Sequence, residues 1–344
     1  MKIPRTVFVI GAGASKEVGL PIGDELRNEI IKLMDINSNP NDDNKFLINT
    51  AIREKSQQKP EEYMDARIAI SNGLRLTASI DNYLNLHREN PKIVFCGKLA
   101  IINSILKAEK DSKLFIEKNS RINMEVIEKT WFTLFFRKFS EECQFHELGN
   151  RLGAITFIVF NYDRCIEHFL YHAIQQCYNV KEEQVKELLH SKLDIYHPYG
   201  TVGSHPWLDV ENKIEFGGRA SPQDLVNLTN AIRTFTESEE TKNHLAHKID
   251  DLKIKIINSQ RIIFLGFSFL KQNMDLIFPI NKQRMSLRTK IFATTRGISY
   301  YDVELIRGDL QERFGTEINR DRLVNQTCAE SFQEFNRAFS FVSN

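Results

Sequence analysis

The sequence has only five cysteines among its 344 residues, and none of them form a C-x-x-C pair. An odd number of scattered cysteines does not indicate a disulfide framework, and it offers no paired ligands for a zinc module. We therefore expect reduced thiols, no bound metal and a cytoplasmic protein. The cysteines are Cys96, Cys143, Cys165, Cys177 and Cys328.

Two further features are missing, namely an excess of charge and a long hydrophobic run. The 46 basic and 45 acidic residues leave a formal charge of +1, so no overall field favours nucleic acid or an anionic membrane. The first apolar segment reaches Gly11 after a few residues, which is too short for a signal peptide or a membrane span. We expect no membrane association and no direct binding of nucleic acid.

Short apolar segments of strand character are present instead, at Thr6 to Ile10, Ala154 to Phe160, Arg261 to Leu265 and Lys290 to Ala293. Each ends in small or polar residues, and helical patterns follow most of them. The alternation predicts an α/β fold, with a Rossmann-like parallel sheet that carries helices on both faces.

Between the first two of these segments lies sequence with helical spacing of apolar residues. We interpret residues 36–149 as an inserted helical subdomain, and residues 1–35 and 150–344 as the Rossmann-like domain. Residues 37–45 are polar and indicate a linker. Residues 221–251 are charged and are expected to be helical.

The first strand leads into a glycine-rich turn, Gly11-Ala12-Gly13-Ala14-Ser15, which is followed by Gly19-Leu20-Pro21. Backbone N–H groups that are free at a helix start can hold a phosphate, so the turn predicts a nucleotide site. The spacing is not Gly-x-Gly-x-x-Gly, because Lys16 stands where the third glycine would be. A tight strand-to-helix turn without a ligand is the alternative.

Polar residues also follow the later strands, where an open α/β sheet binds its ligands. A short run that ends at Tyr196 leads into a histidine beside turn residues. The residues are Asn161, Tyr162 and Asp163; His197, Pro198, Tyr199 and Gly200; Gly266, Phe267 and Ser268; and Thr294 and Thr295.

These residues have simpler interpretations as well. Asn161 and Asp163 are also suited to capping the helix that begins near Arg164, and His197 to a hydrogen-bonded turn. Gly266 and Ser268 are compatible with nothing more than a close contact between a strand and a helix.

The order GAGAS, GLP, FNYD, HPYG and LGFSF resembles the sirtuin-like fold, and more narrowly the sirtuin-like NADases of prokaryotic antiphage defence. The resemblance covers about Thr6 to Ile31, Ile155 to Gly203 and Arg261 to Leu310. A Ser-x-Asp element around Asp81 is similar to one found in the helical insertion of such proteins.

The resemblance implies an NAD pocket and assigns roles within it. Asn161 orients water or the ribose hydroxyls, Asp163 contacts the nicotinamide carboxamide or the ribose, and His197 contacts a ribose hydroxyl and acts as general base. The implied NAD-binding residues are Gly11, Ala12, Gly13 and Ser15 at the pyrophosphate; Gly266, Ser268 and Thr295 at the adenosine; and Gly19, Pro21, Asp81 and Tyr162 from the remaining motifs.

The sequence departs from the sirtuin deacylases, because it has no paired cysteines and continues after Pro21 as Ile22-Gly23-Asp24 in place of Phe-Arg. This favours an NAD glycohydrolase, a defence effector that depletes cellular NAD. The alternatives are a catalytically silent NAD- or nucleotide-binding module of a defence complex, and an NAD-dependent protein deacylase. The resemblance also implies a homo-oligomer, with a hexameric helicase-type ATPase or an Argonaute-like protein as partner.

Other side chains compete less well for a functional role. His168 and His172 have the i, i+4 spacing of a metal pair, but a partly solvated helix face is the preferred interpretation. His244 and His247 lie in a charged, exposed segment. An aromatic cluster indicates a core or interface stripe in preference to a base-stacking platform, and it comprises Trp131, Phe132, Phe135, Phe136 and Phe139.

Overall fold

A single parallel sheet of six strands organises the chain, in the order β3-β2-β1-β4-β5-β6. The computed structural model describes residues 3–37, 42–57, 59–118, 120–208, 214–234, 237, 246–278 and 289–342. The strands are β1 (Thr6–Ile10), β2 (Ile155–Val159), β3 (Asp194–Tyr196), β4 (Arg261–Leu265), β5 (Lys290–Thr294) and β6 (Leu323–Val324). The predicted Rossmann-like α/β fold is confirmed.

The strand predictions hold closely at the centre of the sheet. The bounds of β1 and β4 agree with the prediction, β2 is one residue shorter at each end, and β5 is one residue longer. These central strands are apolar and buried on both faces, which gives a strong signal in sequence. Only β6 was not expected, because two residues are too few to form a pattern.

Helices connect the strands and cover the sheet. They are α1 (Ala12–Ser15), α2 (Gly23–Met34), α3 (Asp43–Lys55), α4 (Met64–Gly73), α5 (Ile80–Leu86), α6 (Pro91–Asp111), α7 (Met124–Ile127), α8 (Trp131–Ser140), α9 (Leu148–Leu152), α10 (Cys165–Tyr178), α11 (Glu182–Lys192), α12 (Pro222–Leu228), α13 (Ala246–Ile257), α14 (Lys271–Ile277), α15 (Tyr300–Phe314) and α16 (Cys328–Glu334). No helix within the described ranges is both long enough and apolar enough to cross a bilayer.

Side chains that alternate along β1 enter two separate hydrophobic clusters. Val7 and Val9 belong to the cluster that contains apolar residues of α2 to α6. Phe8 and Ile10 belong to the cluster that contains those of α8, α10 and α16. Because successive side chains of a strand point to opposite faces, helices cover both faces of the sheet.

The aromatic stripe on α8 lies in the hydrophobic cluster that contains Phe8 and Ile10, which confirms the prediction of a core stripe. Its rings are buried, and Phe135 meets Phe8 of β1 edge to face with ring centroids 5.4 Å apart. A base-stacking platform needs accessible faces, so this alternative is wrong for the stripe.

Both predicted polar segments lie partly outside the described residues, and the first, residues 37–45, contains helix that was not expected. In the segment 37–45, residues 38–41 are not described, and α3 already begins at Asp43 because the Asp42 carboxylate accepts the Asn44 N–H at 2.8 Å. The loop prediction is therefore wrong for residues 43–45. Helices α12 and α13 confirm the predicted helix at residues 222–228 and 246–251, but the described residues 229–234 form turns and a β-bridge at Ile232.

A buried ion pair joins the C-terminal turn of α6 to the start of α10. Nε and Nη2 of Arg164 donate to Oε1 and Oε2 of Glu109 at 3.1 and 2.5 Å, and both side chains are at most 1% exposed. The backbone oxygens of Ser204 and Ile214 accept from Nη1, while Gly217 N–H donates to Glu109. The pair thus fixes Ser204 and residues 214–217 relative to α10.

Candidate active site

The glycine turn after β1 packs directly against the turn after β4. A Cβ atom on Gly11 would lie 2.5 Å from the backbone oxygen of Gly266, and one on Gly13 would lie 2.8 Å from its Cα. Gly266 has φ +57°, and a Cβ there would come within 2.1 Å of Ala14 N. The backbones of the two turns therefore meet where no side chain fits, in agreement with the interpretation of Gly266 as a close contact between a strand and a helix.

This contact corrects one expectation about the phosphate cradle. The N–H groups of Gly11 and Gly13 are not free, because they donate to the backbone oxygens of Leu265 and Gly266 at 3.0 Å each. The turn satisfies these donors internally because the β4 turn lies against it. Any pyrophosphate contact at Gly11 and Gly13 would need another geometry or another atom.

Asn161 links the segment after β2 to the glycine turn. Its amide Nδ2 donates to Gly11 O at 3.2 Å and to Ser15 Oγ at 3.0 Å, and the residue is 9% exposed. No described residue donates to its Oδ1. Asn161 therefore does not cap α10. Its two donated hydrogen bonds fix the side-chain amide, and its Oδ1 can still accept a hydrogen bond from a ligand.

Asp163 does act as a cap. Its Oδ1 accepts the Cys165 N–H at 3.1 Å in the first turn of α10, in agreement with the capping alternative. Its carboxylate is also hydrogen-bonded to Ser15, which joins it to the Asn161 network. Burial raises the pKa of Asp163, although the bonds from Cys165 and Ser15 oppose this.

His197 reaches the same network from the turn after β3. The His197 carbonyl accepts the Gly200 N–H at 3.2 Å, and Gly200 has φ +76° and pairs with Ile232. A Cβ at Gly200 would lie 2.0 Å from Ala231 O, so the turn requires glycine. On the ring, Nδ1 lies 3.2 Å from Asn161 O, so the structure brings Asn161 and His197 together.

The site contains two groups that the sequence did not reveal, Glu167 on α10 and His205. Oε1 of Glu167 lies 2.8 Å from His197 Nε2 and 3.3 Å from His205 Nδ1, and its side chain is 0% exposed. Burial alone would raise the pKa of Glu167, but the charge and hydrogen bond of His197, together with His205, bring it below the ordinary value. The signal for His205 was a second histidine in the polar loop after His197. In sequence, Glu167 is only one charge on an amphipathic helix.

The predicted insertion contributes Asp81 at the other side of the site. Tyr162 Oη donates to Oδ1 of Asp81 at 2.6 Å, and Asp81 lies in the first turn of α5 after its cap Ser79. Burial raises the pKa of Asp81, and the bond from Tyr162 partly offsets this. Two residues from separate predicted motifs, the Ser-x-Asp element and the NYD sequence, are thereby in contact.

The remaining predicted residues are near the strand ends but outside this network of hydrogen bonds. Ser268 is exposed, and Thr295 is buried with its N–H bonded to Val324 O at 2.8 Å. Ala12 begins α1. Gly19 ends the short turn after α1 with φ 103°, and Pro21 precedes α2.

Residues 155–314 match the family model of the SIR2-like domain, and they include part of this site. This part of the chain is similar to SIR2-like domains. It begins with β2 and ends with α15, so it contains Asn161, His197 and Gly266, whereas the glycine turn after β1 precedes it. No curated protein sequence matches the chain.

The match confirms the sirtuin-like family that the motifs predict. SIR2-like domains are typically NAD-dependent enzymes, and the domain therefore supports a function related to NAD. The particular reaction, the residue roles and the partners stay predictions.

The two histidines on α10 differ in exposure, and the predicted partly solvated face holds for His172 alone. His168 is buried, and its Nε2 donates to Leu114 O at 2.9 Å. Burial lowers the pKa of His168 well below the ordinary value and that of His172 to about 4, so both rings are neutral at pH 7. No group of three or more ligand side chains suited to a metal ion occurs among the residues that the structure describes. His244 and the side chain of His247 lie outside them.

A cavity of about 360 Å³ lies at the opposite edge of the sheet, around the first residues of the strands. Its polar groups are largely paired, as Lys255 binds Asp194, which accepts from Thr156. Ligands of open α/β sheets bind at the carboxyl ends of the strands, so this cavity is not the candidate site.

Proposed function

We propose that the chain is an NAD glycohydrolase, which converts NAD⁺ and water into ADP-ribose, nicotinamide and a proton. One observation carries the proposal, the hydrogen-bonded chain of Ser15, Asn161 and His197 at the carboxyl edge of the sheet. The SIR2-like domain supports NAD as the substrate. These side chains come from three segments of the sequence, and their convergence is what a bound substrate between them requires.

The chemistry suits this set of residues. Nicotinamide leaves as a neutral molecule from a cationic ring, so the reaction needs little acid catalysis and depends on placing and activating water. Asn161 is held through its Nδ2, which leaves Oδ1 to accept a hydrogen bond from water or a ribose hydroxyl. In this proposal Asp163 lies beside the nicotinamide carboxamide or the ribose, and His197 accepts the proton of the attacking water.

The other contacts with NAD follow from the positions of the turns. Ala12 and Ser15 would hold the pyrophosphate at the turn that Gly11 and Gly13 form, and Gly266, Ser268 and Thr295 would line the adenosine. Asp81 and Tyr162 would close the pocket from the side of α5. Gly19 and Pro21 fix the chain between α1 and α2.

The cellular role is part of the same proposal. Depletion of NAD in the cytoplasm would make the protein an effector of antiphage defence, active as a homo-oligomer or beside a hexameric helicase-type ATPase or an Argonaute-like partner. A deacylase is less well supported, because the five cysteines include no C-x-x-C pair from which a four-cysteine zinc module could be built.

A catalytically silent NAD-binding module is the second candidate, and one observation favours it. Both ring nitrogens of His197 are already engaged, by Glu167 and by the backbone oxygen of Asn161. In this state His197 has no lone pair with which to take a proton.

The test is nicotinamide release by the purified chain, with Asn161→Ala as the variant. We expect a loss of at least about 100-fold in turnover, because Asn161 acts on the reacting groups. The melting temperature should decrease only moderately, because the variant loses the two hydrogen bonds that Asn161 donates to Gly11 and Ser15 but keeps the rest of the fold. Asn150→Ala is the matched control, since Asn150 is an exposed residue of α9. Equal turnover by Asn161→Ala and the wild type would exclude the assignment. Binding of NAD without nicotinamide release by the wild type would favour the silent module.

A further inference from the structure

The buried carboxylate of Glu167 lies beside two histidine rings. Its Oε1 faces Nε2 of His197 at 2.8 Å and Nδ1 of His205 at 3.3 Å. Its Oε2 is buried and has no hydrogen-bond partner among the described residues. A buried carboxylate is costly unless it is paired, so the imidazoles are what keeps Glu167 ionised.

The hydrogen bonds of His197 define its protonation. Both of its ring partners, the Glu167 carboxylate and the Asn161 carbonyl, are acceptors, so both nitrogens must carry a proton. The ring is therefore an imidazolium. Burial would lower the pKa of His197, but the charge and hydrogen bond of Glu167, with help from Asn161 and Asp163, hold it above the ordinary value.

The two bonds of His197 differ in how easily a ligand can replace them. Glu167 lies within α10 and is fully buried, so the Nε2 bond persists in any ligand state that leaves α10 in place. The Asn161 oxygen lies at the carboxyl edge of the sheet, beside the proposed substrate. Only the Nδ1 bond can be exchanged for a bond to water or a ribose hydroxyl.

On this basis, and resting on the proposed function, we propose that Glu167 is a positioning residue. It holds the Nε2 proton of His197, so that Nδ1 is the atom that takes the proton from the attacking water. The His197–Glu167 pair is neutral when it is at rest. Loss of the Nδ1 proton to solvent leaves a pair with one negative charge, which the cationic nicotinamide ring of NAD⁺ favours.

Other charged groups around His197 are consistent with this assignment. His205 packs on Trp207 with ring centroids 5.1 Å apart and is partly exposed, and burial is the main cause that lowers its pKa. Glu167 opposes that decrease, while His197 and Arg164 add to it. His205 is thus neutral at pH 7, and the negative charge of Glu167 is paired with His197 alone.

The experiment compares Glu167→Gln with the wild type by NMR titration of the histidine rings and by the pH profile of nicotinamide release. Glutamine keeps the size of the side chain and removes the charge. We expect the pKa of His197 to decrease by about 1 to 3 units. We also expect kcat to decrease about 100-fold or more with KM little changed, and the acidic limb of the pH profile to move to lower pH.

Glu183→Gln is the matched control, because Glu183 is exposed in the first turn of α11. It should leave the His197 titration and the pH profile as in the wild type. An unchanged His197 pKa in Glu167→Gln would overturn the proposal, as would an unchanged pH profile in an active enzyme. If the wild type releases no nicotinamide, the proposed function fails, but the NMR titration still decides whether Glu167 controls the protonation of His197.

Discussion

Two buried carboxylates flank the first turn of α10, and they differ in how fully they are paired. Both oxygens of Glu109 accept two hydrogen bonds each, from Arg164 and from Gly217 N–H. Glu167 has one oxygen shared by two histidines and one without a partner in the described part of the chain. The first pair is complete and its arginine cannot lose a proton, whereas the second is incomplete and its charged histidine, His197, can.

This difference distinguishes a structural ion pair from one that is suited to chemistry. The Arg164–Glu109 pair joins α6, α10, Ser204 and residues 214–217, so it fixes the backbone around the site. The His197–Glu167 pair can exchange a proton, because imidazole titrates near neutral pH. The first should therefore control stability and the second activity.

The largest expected effect is on stability, from Glu109→Ala. Removal of the carboxylate leaves the Arg164 guanidinium buried and unpaired, which should lower the free energy of unfolding by about 3–5 kcal/mol. Glu167→Ala should cost clearly less, since His197 can become neutral. Urea unfolding of both variants at pH 7 measures this, and equal losses would remove the distinction between the two pairs.

A smaller effect should appear in the pH dependence of stability. The folded pKa of His197 is above its ordinary 6.5, so its contribution is present below pH 6.5 and is lost as the pH rises through the folded value. The folded pKa of Glu167 is below 4.5, so its contribution is present above pH 4.5 and is lost as the pH falls through the folded value.

The two limits leave a window in which the pair stabilises the fold, between about pH 4.5 and about pH 6.5. We expect the difference in unfolding free energy between the wild type and His197→Gln to be greatest there, and to decrease toward about pH 9 by about 1.4 kcal/mol for each unit of pKa shift. Arg164→Met should instead give a difference that does not decrease toward about pH 9, because arginine stays charged and the variant leaves the Glu109 carboxyl group buried without its cation. A flat difference for His197→Gln would contradict the assigned ion pair.

The smallest effect is expected from an exposed ion pair of similar length. Arg137 donates to Glu128 at 2.8 Å, but the two side chains are 56% and 57% exposed. Arg137→Ala should change the free energy of unfolding by about 0–1 kcal/mol, because water screens the pair. Thermal unfolding of this variant supplies the reference for the buried pairs, and a loss above about 2 kcal/mol would show that exposure does not govern the difference.

Much of the architecture was predictable because it follows from local patterns. The buried strands β1 and β4 have unbroken apolar segments, and their bounds agree with the prediction. The positions of Asn161 and His197 after two strands predicted that they would meet, and they share a hydrogen bond. Strand β6 was not predicted, because two residues are too few to show the apolar pattern of a strand.

The missed residues have a different physical reason. Glu167 is one of several charges on an amphipathic helix, and only its burial beside two imidazoles distinguishes it. Glu109 and Arg164 are 55 positions apart and look like ordinary surface charges in sequence. The sequence also indicated free N–H groups at the glycine turn, but the β4 turn occupies those of Gly11 and Gly13.

The sequence alone determined the parallel sheet, the order of its motifs and the similarity of residues 155–314 to SIR2-like domains, because apolar periodicity and short glycine turns are properties of neighbouring residues. Only the tertiary structure decided which carboxylate is paired with which cation and which backbone donors are already satisfied. Burial and hydrogen bonding depend on segments that are distant along the chain, and these set the protonation of His197 at the centre of the proposed site.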